Sequence, residues 1–149
     1  MKLSVVDKIT NLKLKELKEA TGKKLAEKEY WDYENQMATM EDGSEYLVLT
    51  GEEAYEQAIT EIKNRLWAFV PKFIIKHMAG VRYSKSLEDA ISQMQANLCE
   101  NANDIIAAMV DDVEEFCDDA IIADGRRHFI AWYDGKEIKT ENFFIYRIN

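Results

Sequence analysis

The chain has 149 residues, of which 47% are hydrophobic and 32% are charged, and its formal net charge at pH 7 is −9. Its length and hydrophobic content suit a single domain with a real core, which we expect to span residues 1–149. So large a negative charge excludes unspecific binding of nucleic acid, because phosphate backbones require clustered Lys and Arg. The charge favours instead a protein partner whose own surface is basic.

No segment predicts contact with a membrane. The apolar runs are too short to cross a bilayer, and the amphipathic start of the chain carries Asp7 and Glu16, which the apolar centre of a signal peptide excludes. Cys99 and Cys117 lie in segments of helical hydrophobic periodicity, so we expect both to be buried free thiols. Free thiols indicate a reducing, cytoplasmic compartment.

The first predicted element is a helix over residues 4–20. Ser4 is its expected N-cap, and Gly22 supplies the residue that ends it. The side chains expected on its buried face are those of Val5, Ile9, Leu12 and Leu17.

Three strands are predicted next, because hydrophobic residues now alternate with polar ones. The strand-like segments cover residues 30–33, 36–39 and 45–49. The second turn contains Asp42-Gly43, a pair typical of a two-residue hairpin turn in which both residues have positive φ. We therefore expect an antiparallel meander.

Helices are predicted for most of the following segment. Thr50 and Glu53 form a capping box, which starts a helix that we expect to run to about Phe69, shortly before Pro71. A further helix is expected to begin at Ser86 as its N-cap.

The last long helix is expected to begin near Asn101 or Asn103, to continue through residue 119 and to end at Gly125. Residues 127–133 fit a strand and a short helix equally well.

The chain closes with a predicted hairpin, whose strands cover residues 136–140 and 143–148. The complete pattern predicts an α+β fold, in which an antiparallel sheet packs with four to five helices. The sheet consists of the N-terminal meander and the C-terminal hairpin.

The stretch DDVEEFCDD at residues 111–119 lies within a segment, residues 87–124, that has eleven Asp and Glu but no Lys or Arg. On one helix, Asp111, Glu115 and Asp118 would share a face, as would Asp112 and Asp119. A solvated helix face ordinarily mixes both signs of charge. The stretch therefore favours a docking surface for a basic partner, while a merely solvated face and a carboxylate metal site are the alternatives.

Two Arg residues and a His lie among aromatic residues just after this stretch, in residues 124–135. They either pair with nearby carboxylates and fill the core, or they form a recognition loop, since Arg and Tyr are enriched at contact centres. The residues that we expect to bind the partner are Asp104, Asp111, Asp112, Glu115, Asp118, Asp119, Arg126, Arg127 and Tyr133.

Candidates for catalysis are weak. His77 and His128 lack the spacing of zinc ligands, with each other and with the two cysteines. We therefore expect no catalytic residues, no metal and no cofactor, and a protein that is not an enzyme. The alternatives are a small enzyme that uses carboxylates or His128, and a homo-oligomer formed through the apolar segment 66–75, which otherwise belongs to the core.

Two patterns resemble a group of small acidic proteins encoded by bacteriophages and prophages, most of them without an assigned function. The first consists of EYLVLT at residues 45–50, EA at 53–54 and LWAF at 66–69. The second consists of ADGR at residues 123–126, HF at 128–129, YDG at 133–135, YR at 146–147 and the terminal Asn149.

This resemblance implies a phage protein that acts in the host cytoplasm. By analogy with anti-CRISPR and anti-restriction inhibitors of this size, it implies a non-enzymatic inhibitor of a nucleic-acid-binding defence complex. Its acidic surface would compete with nucleic acid for the basic groove of that complex.

Overall fold

The computed structural model describes the backbone of residues 5–149 and the side chains of residues 7–149, so that the expected N-cap Ser4 and the side chain of Val5 lie outside it. The α+β fold is confirmed. The elements are α1 (Val5–Thr21), β1 (Trp31–Asp32), β2 (Met37–Thr39), β3 (Glu45–Leu49), α2 (Gly51–Lys63), α3 (Pro71–Lys76), α4 (Lys85–Leu98), α5 (Asn103–Met109), α6 (Val113–Asp124), α7 (Arg126–Ile130), β4 (Ile138–Lys139) and β5 (Phe144–Arg147), with short 3₁₀ helices at Leu66–Ala68 and Cys99–Ala102.

The chain divides into two compact units. The sheet unit comprises the chain up to Gln57 together with Arg126–Asn149, and the helical unit comprises Ala58–Gly125. The expectation of a single domain stays a prediction. No helix within residues 5–149 combines the length and the apolar character that crossing a bilayer requires.

The sheet has the strand order β1-β2-β3-β5-β4, and every neighbouring pair is antiparallel. The expected meander and C-terminal hairpin are therefore both confirmed, and the pairing of β3 with β5 joins them. This pairing sets Tyr46 opposite Arg147 and Leu49 opposite Phe144.

The turn between β2 and β3 differs from the expected two-residue type. The Met40 amide donates to the Ser44 carbonyl, and the Gly43 amide donates to the Met40 carbonyl, so three residues form the loop. Only Gly43 has positive φ (85°), as the bulged form of this turn requires. The Asp42 carboxylate accepts from the Ser44 amide at 2.9 Å, a local contact that stabilises the loop. Asp42 itself does not have positive φ.

Helix α1 buries a different face from the expected one. Ile9 and Leu12 are 43% and 37% exposed, whereas Lys13 is only 1% exposed. The buried residues of α1 are Lys13, Leu14, Glu16 and Leu17. Both charged side chains have partners: Lys13 binds polar side chains of the sheet unit, and the Glu16 carboxylate accepts from the backbone amide of Asn142 at 2.9 Å and from its side-chain amide at 2.9 Å.

The apolar residues of α1 cover one face of the sheet. Leu14 and Leu17 pack there against a buried cluster, which is the core of the sheet unit on this side. The other members of the cluster are Ala38, Met40, Tyr46, Val48, Phe143 and Ile145. Burial of these side chains is the main force that holds α1 on the sheet.

The capping box of α2 is confirmed. The Thr50 hydroxyl accepts from the Glu53 amide at 3.2 Å, and the Glu53 carboxylate accepts from the Thr50 amide at 2.9 Å. The expected continuation to Phe69 is wrong, since α2 ends at Lys63. Pro71 does not end this helix but begins α3.

The Asn103 side chain explains why α2 stops. Its Nδ2 atom donates to the Asn64 carbonyl at 2.7 Å, and its Oδ1 atom accepts from the Trp67 amide at 2.9 Å. In a continuing α-helix, these two backbone groups would bond within the helix. One side-chain amide thus replaces two helical hydrogen bonds, and the chain turns into a 3₁₀ helix.

We expect Asn103→Ala to lower the free energy of unfolding by about 2 kcal/mol, because it leaves a backbone donor and a backbone acceptor without partners. The matched control is Asn101→Ala, which replaces an exposed Asn of the same segment and should change stability by less than about 0.5 kcal/mol. Urea denaturation followed by circular dichroism measures both. Equal losses in the two variants would contradict the role of Asn103.

The start of α4 also differs from expectation. Its N-cap is Ser84, whose hydroxyl accepts from the Leu87 amide at 3.1 Å, and not Ser86, which lies inside the helix. At the other end of the helical unit Gly125 ends α6 as expected, with φ 83°.

Candidate partner-binding surface

The acidic stretch does not form one helix. Helix α5 ends at Met109, and α6 begins only at Val113. Val110 and Asp112 have extended backbone conformations. The expectation that Asp111 and Asp112 lie on one helix with the acids of α6 is therefore wrong.

Asp112 breaks the helix because it is the N-cap of α6. Its carboxylate accepts from the amides of Glu114 at 3.0 Å and Glu115 at 3.2 Å. Asp is among the best N-cap residues, and acids in the first turn interact favourably with the helix dipole. The backbone amide of Asp111 donates to the His77 carbonyl at 2.9 Å, which fixes the break to the end of α3. Part of the acidic composition thus has a local structural reason.

Two further acids of α6 have cationic or ionisable partners in the helical unit. Glu114 forms an ion pair with Lys63 at 2.6 Å. An Asp119 carboxylate oxygen lies 3.2 Å from His77 Nε2, but this contact lacks the alignment of a hydrogen bond. The two groups form an ion pair only when the imidazole is protonated. Glu114 therefore contributes less to an outward negative field than its sequence position suggests, and Asp119 does so when the imidazole is protonated.

Three of the expected acids remain exposed and unpaired. Asp104 lies in the first turn of α5, Asp111 lies in the break, and Glu115 belongs to the first turn of α6; all three are exposed. Among residues 5–149 none of these carboxylates takes part in an ion pair or a side-chain hydrogen bond. Asp118, one turn further along α6, is half-buried. The exposed acids are thus fewer than expected.

Ile122 lies on the same side of α6 as these acids, and the sequence analysis did not single it out. It is 82% exposed, and it follows Asp118 by four residues and Glu115 by seven, spacings that place residues on one helical face. Counting from the exposed acids by helical periodicity would have found it. An exposed apolar side chain among carboxylates adds contact area to this surface.

The charge of the helical unit is strongly segregated along the sequence. Residues 58–125 hold twelve Asp and Glu against six Lys and Arg, and all six cations precede Ser86. Lys63 and Lys85 already have carboxylate partners, Glu114 and Asp89. The later part of the unit therefore carries no cation of its own that could neutralise its surface.

Arg126 belongs to the sheet unit, and its guanidinium is engaged there. It donates to the Gly51 carbonyl at 3.2 Å, lies 3.3 Å from a Glu137 carboxylate oxygen and packs 4.4 Å from the centroid of the Phe144 ring. The interpretation that it pairs with a nearby carboxylate is confirmed, and Arg126 is not available as an outward anchor.

Residues 127–130 belong to α7, and a turn follows at 132–134. Of the two structures predicted for this segment, the short helix is therefore correct. Arg127 is exposed. Tyr133 does not fill the core, since it is exposed and its ring carries the Arg147 guanidinium 3.7 Å from the ring centroid. Tyr133 and the exposed Trp132 present aromatic surface on the sheet unit.

The candidates for chemistry do not assemble a reactive site within either unit. Cys117 is buried, and burial raises the pKa of its thiol to about 11, which disfavours the nucleophilic thiolate. Cys99 is exposed rather than buried as expected, because it follows the last turn of α4. Among the residues that the structure describes, no three His, Cys, Asp or Glu side chains cluster as a metal site would require.

The apolar segment 66–75 contributes mainly to the core of the helical unit. Leu66, Ile74 and Ile75 are buried, and Phe69 and Phe73 stack with their ring centroids 5.5 Å apart. Val70 is its large exposed apolar residue. This burial supports the assignment of the segment to the core.

Neither a protein-family model, nor a curated protein, nor a solved structure matches this chain.

Proposed function

We propose that the protein is a non-enzymatic binding protein whose helical unit docks on a basic partner. The observation that carries this proposal is the outward, unpaired position of Asp104, Asp111 and Glu115 in a part of the chain that has no cation. These carboxylates can meet Lys and Arg of a partner without first breaking an internal ion pair. Breaking such pairs would otherwise reduce the gain on binding.

Asp104 and Glu115 gain a modest stabilisation from the dipoles of the helices in whose first turns they lie, but no ion pair compensates their charge. Neighbouring like charges lower the stability of a helix by a few tenths of a kcal/mol for each close pair. A basic partner would remove this repulsion and accelerate encounter by electrostatic steering. Because salt screens exposed charges over about 8–10 Å at physiological ionic strength, association should weaken as the salt concentration rises.

The partner that we propose is a nucleic-acid-binding protein of a host defence system, located in the host cytoplasm. Grooves that hold phosphate backbones are lined with Lys and Arg, so an acidic surface can occupy them in place of nucleic acid. The resemblance of residues 45–69 and 123–149 to small acidic phage proteins supports a target in defence. This step is an analogy with anti-CRISPR and anti-restriction inhibitors.

The test is charge reversal of the unpaired acids, Asp104→Lys, Asp111→Lys and Glu115→Lys in one variant. We expect wild-type protein on beads to capture a basic nucleic-acid-binding protein from host lysate at low salt, and the variant to capture at least tenfold less. Quantitative mass spectrometry of the captured proteins measures this. Added duplex DNA or RNA should displace the captured protein from the wild type.

The matched control carries the same change of charge in the sheet unit, Glu27→Lys, Glu34→Lys and Glu141→Lys, since all three side chains are exposed there. It should capture the partner as the wild type does. Equal capture by wild type, control and the charge-reversed helical unit would rule out this surface. Equal loss in both variants would show that only net charge matters.

A further inference from the structure

We propose that a pocket of the helical unit binds a small aromatic monophosphate, a ligand site made of other residues than the proposed partner surface. The pocket has a volume of about 410 Å³. Its lining residues are Lys72, Ile75, Lys76, Val81 and Tyr83. Its volume falls within the usual range of small-molecule sites, and its lining combines apolar walls with a few charged groups, as such sites do.

The two lysines supply the positive charge. Lys72 and Lys76 are four residues apart on α3, which places both ammonium groups on the same side of this helix. Among residues 5–149 neither forms an ion pair, although the protein as a whole has an excess of acids. Two neighbouring cations without counter-charges attract a dianion, and a phosphate monoester carries nearly two negative charges at neutral pH.

Tyr83 supplies an aromatic surface, and two contacts position its ring, one at the hydroxyl and one over the ring face. Its hydroxyl donates to the Glu88 carboxylate, and Lys72 Nζ lies 5.6 Å from the centroid of its ring. The side chain is nevertheless 52% exposed, so part of the ring remains accessible. An aromatic ligand can stack on such a ring, an interaction that depends little on which ring the ligand carries.

The apolar and acidic residues around the two lysines are compatible with a site for an aromatic phosphate. Ile75 is buried and Val81 is exposed, and together they give the pocket an apolar wall beside Tyr83. The acids that follow in α4 are already engaged, Glu88 with the Tyr83 hydroxyl and Asp89 with Lys85 at 3.2 Å. They therefore compete less with an incoming phosphate for Lys72 and Lys76.

A phosphate fits better than a carboxylate, because a single negative charge would leave one ammonium group uncompensated. Inorganic phosphate alone would leave the Tyr83 ring and the apolar wall without a ligand. An aryl phosphate and a nucleoside monophosphate share the required chemistry, namely a flat ring that bears a terminal phosphate. The charge-reversed acids of the partner surface are not pocket residues, so each proposal can fail without the other.

Titrations followed by two-dimensional NMR test this site with phenyl phosphate, adenosine monophosphate and inorganic phosphate. We expect saturable shifts of the amides of residues 72–83 with the two aromatic phosphates, and at least tenfold weaker binding of inorganic phosphate. Comparison of the two aromatic probes distinguishes an aryl phosphate from a nucleotide as the preferred ligand.

The variant Lys72→Ala with Lys76→Ala should weaken binding of both aromatic probes at least tenfold. Its matched control is Lys15→Ala with Lys18→Ala, which removes two exposed lysines from α1 and should leave binding unchanged. Tyr83→Leu should weaken the aromatic probes and leave inorganic phosphate unchanged. The proposal fails if no probe gives saturable shifts, if the lysine variant binds as the wild type does, or if inorganic phosphate binds as tightly as phenyl phosphate.

Discussion

Replacing Phe116 with alanine should lower the free energy of unfolding by about 3–5 kcal/mol, the usual loss for a fully buried aromatic residue. Phe116 has no exposed surface, and its ring lies edge-on to Phe69 and Phe73, with centroid distances of 4.9 and 4.8 Å. The His77 ring lies 5.1 Å away. Aromatic pairs of this geometry contribute about 0.5–1.5 kcal/mol each beyond their burial. Urea denaturation followed by circular dichroism measures the loss.

Two variants of α6 separate this packing effect from a general effect of mutating the helix. Ile122→Ala removes an exposed side chain, so it should change stability by less than about 0.5 kcal/mol. Phe116→Leu keeps an apolar side chain in the cluster and should recover part of the loss. A loss below about 1 kcal/mol for Phe116→Ala would mean that this cluster does not hold the helical unit together.

Position 116 also matters for the proposed partner surface. Glu115 and Asp118 lie on α6, as Phe116 does. The contact of Phe116 with Phe73 packs this helix against α3. A loosened α6 would weaken binding without any change of surface charge. Binding variants are therefore interpretable only while Phe116 and its aromatic neighbours remain intact.

The strands and the start of α2 were predictable because their determinants lie within a few residues. Strand β3 covers the predicted residues 45–49, a short apolar run that follows the Asp42-Gly43 turn and whose last four residues are buried. The Thr50 and Glu53 capping box connects residues only three apart. Local turn chemistry likewise located the end of α6 at Gly125.

The misplaced end of α2 and the misassigned buried face of α1 have non-local causes. Helix α2 ends early because of Asn103, which is 39 residues from its acceptor Asn64. The buried face of α1 was misassigned because Lys13 finds its partners 23 and 40 residues away. A buried lysine is tolerated only with such partners, and periodicity within α1 carries no information about them.

The candidate surface was predictable in part. The exposure of Asp104, Asp111 and Glu115 followed from composition, and the pattern Asp112-Val113-Glu114-Glu115 already contained the signal for an N-cap and a helix break. The contact of Glu114 with Lys63 spans 51 residues and could not be foreseen. Local reasoning thus found the charge of the surface, but it did not find which acids are already paired.

The second large effect is expected at Lys13, where Lys13→Ala should lower the free energy of unfolding by about 3 kcal/mol. Its Nζ atom donates to Gln36 Oε1 and Glu53 Oε1, both at 2.7 Å. Breaking a buried ion pair by removing one partner costs about 3–5 kcal/mol. The Glu53 side chain is 38% exposed, so water can replace part of the lost contact, and we expect the lower end of this range.

Lys13→Met is the control for packing, because it keeps an unbranched apolar stem of similar length and removes the charge together with its hydrogen bonds to Gln36 and Glu53. It should destabilise less than Lys13→Ala, and the difference measures the cavity. Glu53→Gln keeps an oxygen that can accept from the Thr50 amide, so combining it with Lys13→Met forms a double-mutant cycle. A coupling energy of at least about 0.5 kcal/mol is expected for residues in direct contact. Additive losses would show that the pair does not stabilise the fold.

The pH dependence of stability tests the same pair independently. Burial raises the pKa of Glu53, but hydrogen bonds from Lys13 and the Thr50 amide outweigh it and hold this pKa below its ordinary value of 4.5. A carboxyl with a lowered pKa contributes stability above the unfolded pKa, and that contribution disappears as the pH falls through the folded pKa. The stability difference between the wild type and Lys13→Met should therefore be largest near pH 7 and shrink below about pH 4.5. Urea midpoints at pH 7, 5, 4 and 3 measure it, and a difference that stays constant across this series would contradict the ion pair, since packing alone does not titrate.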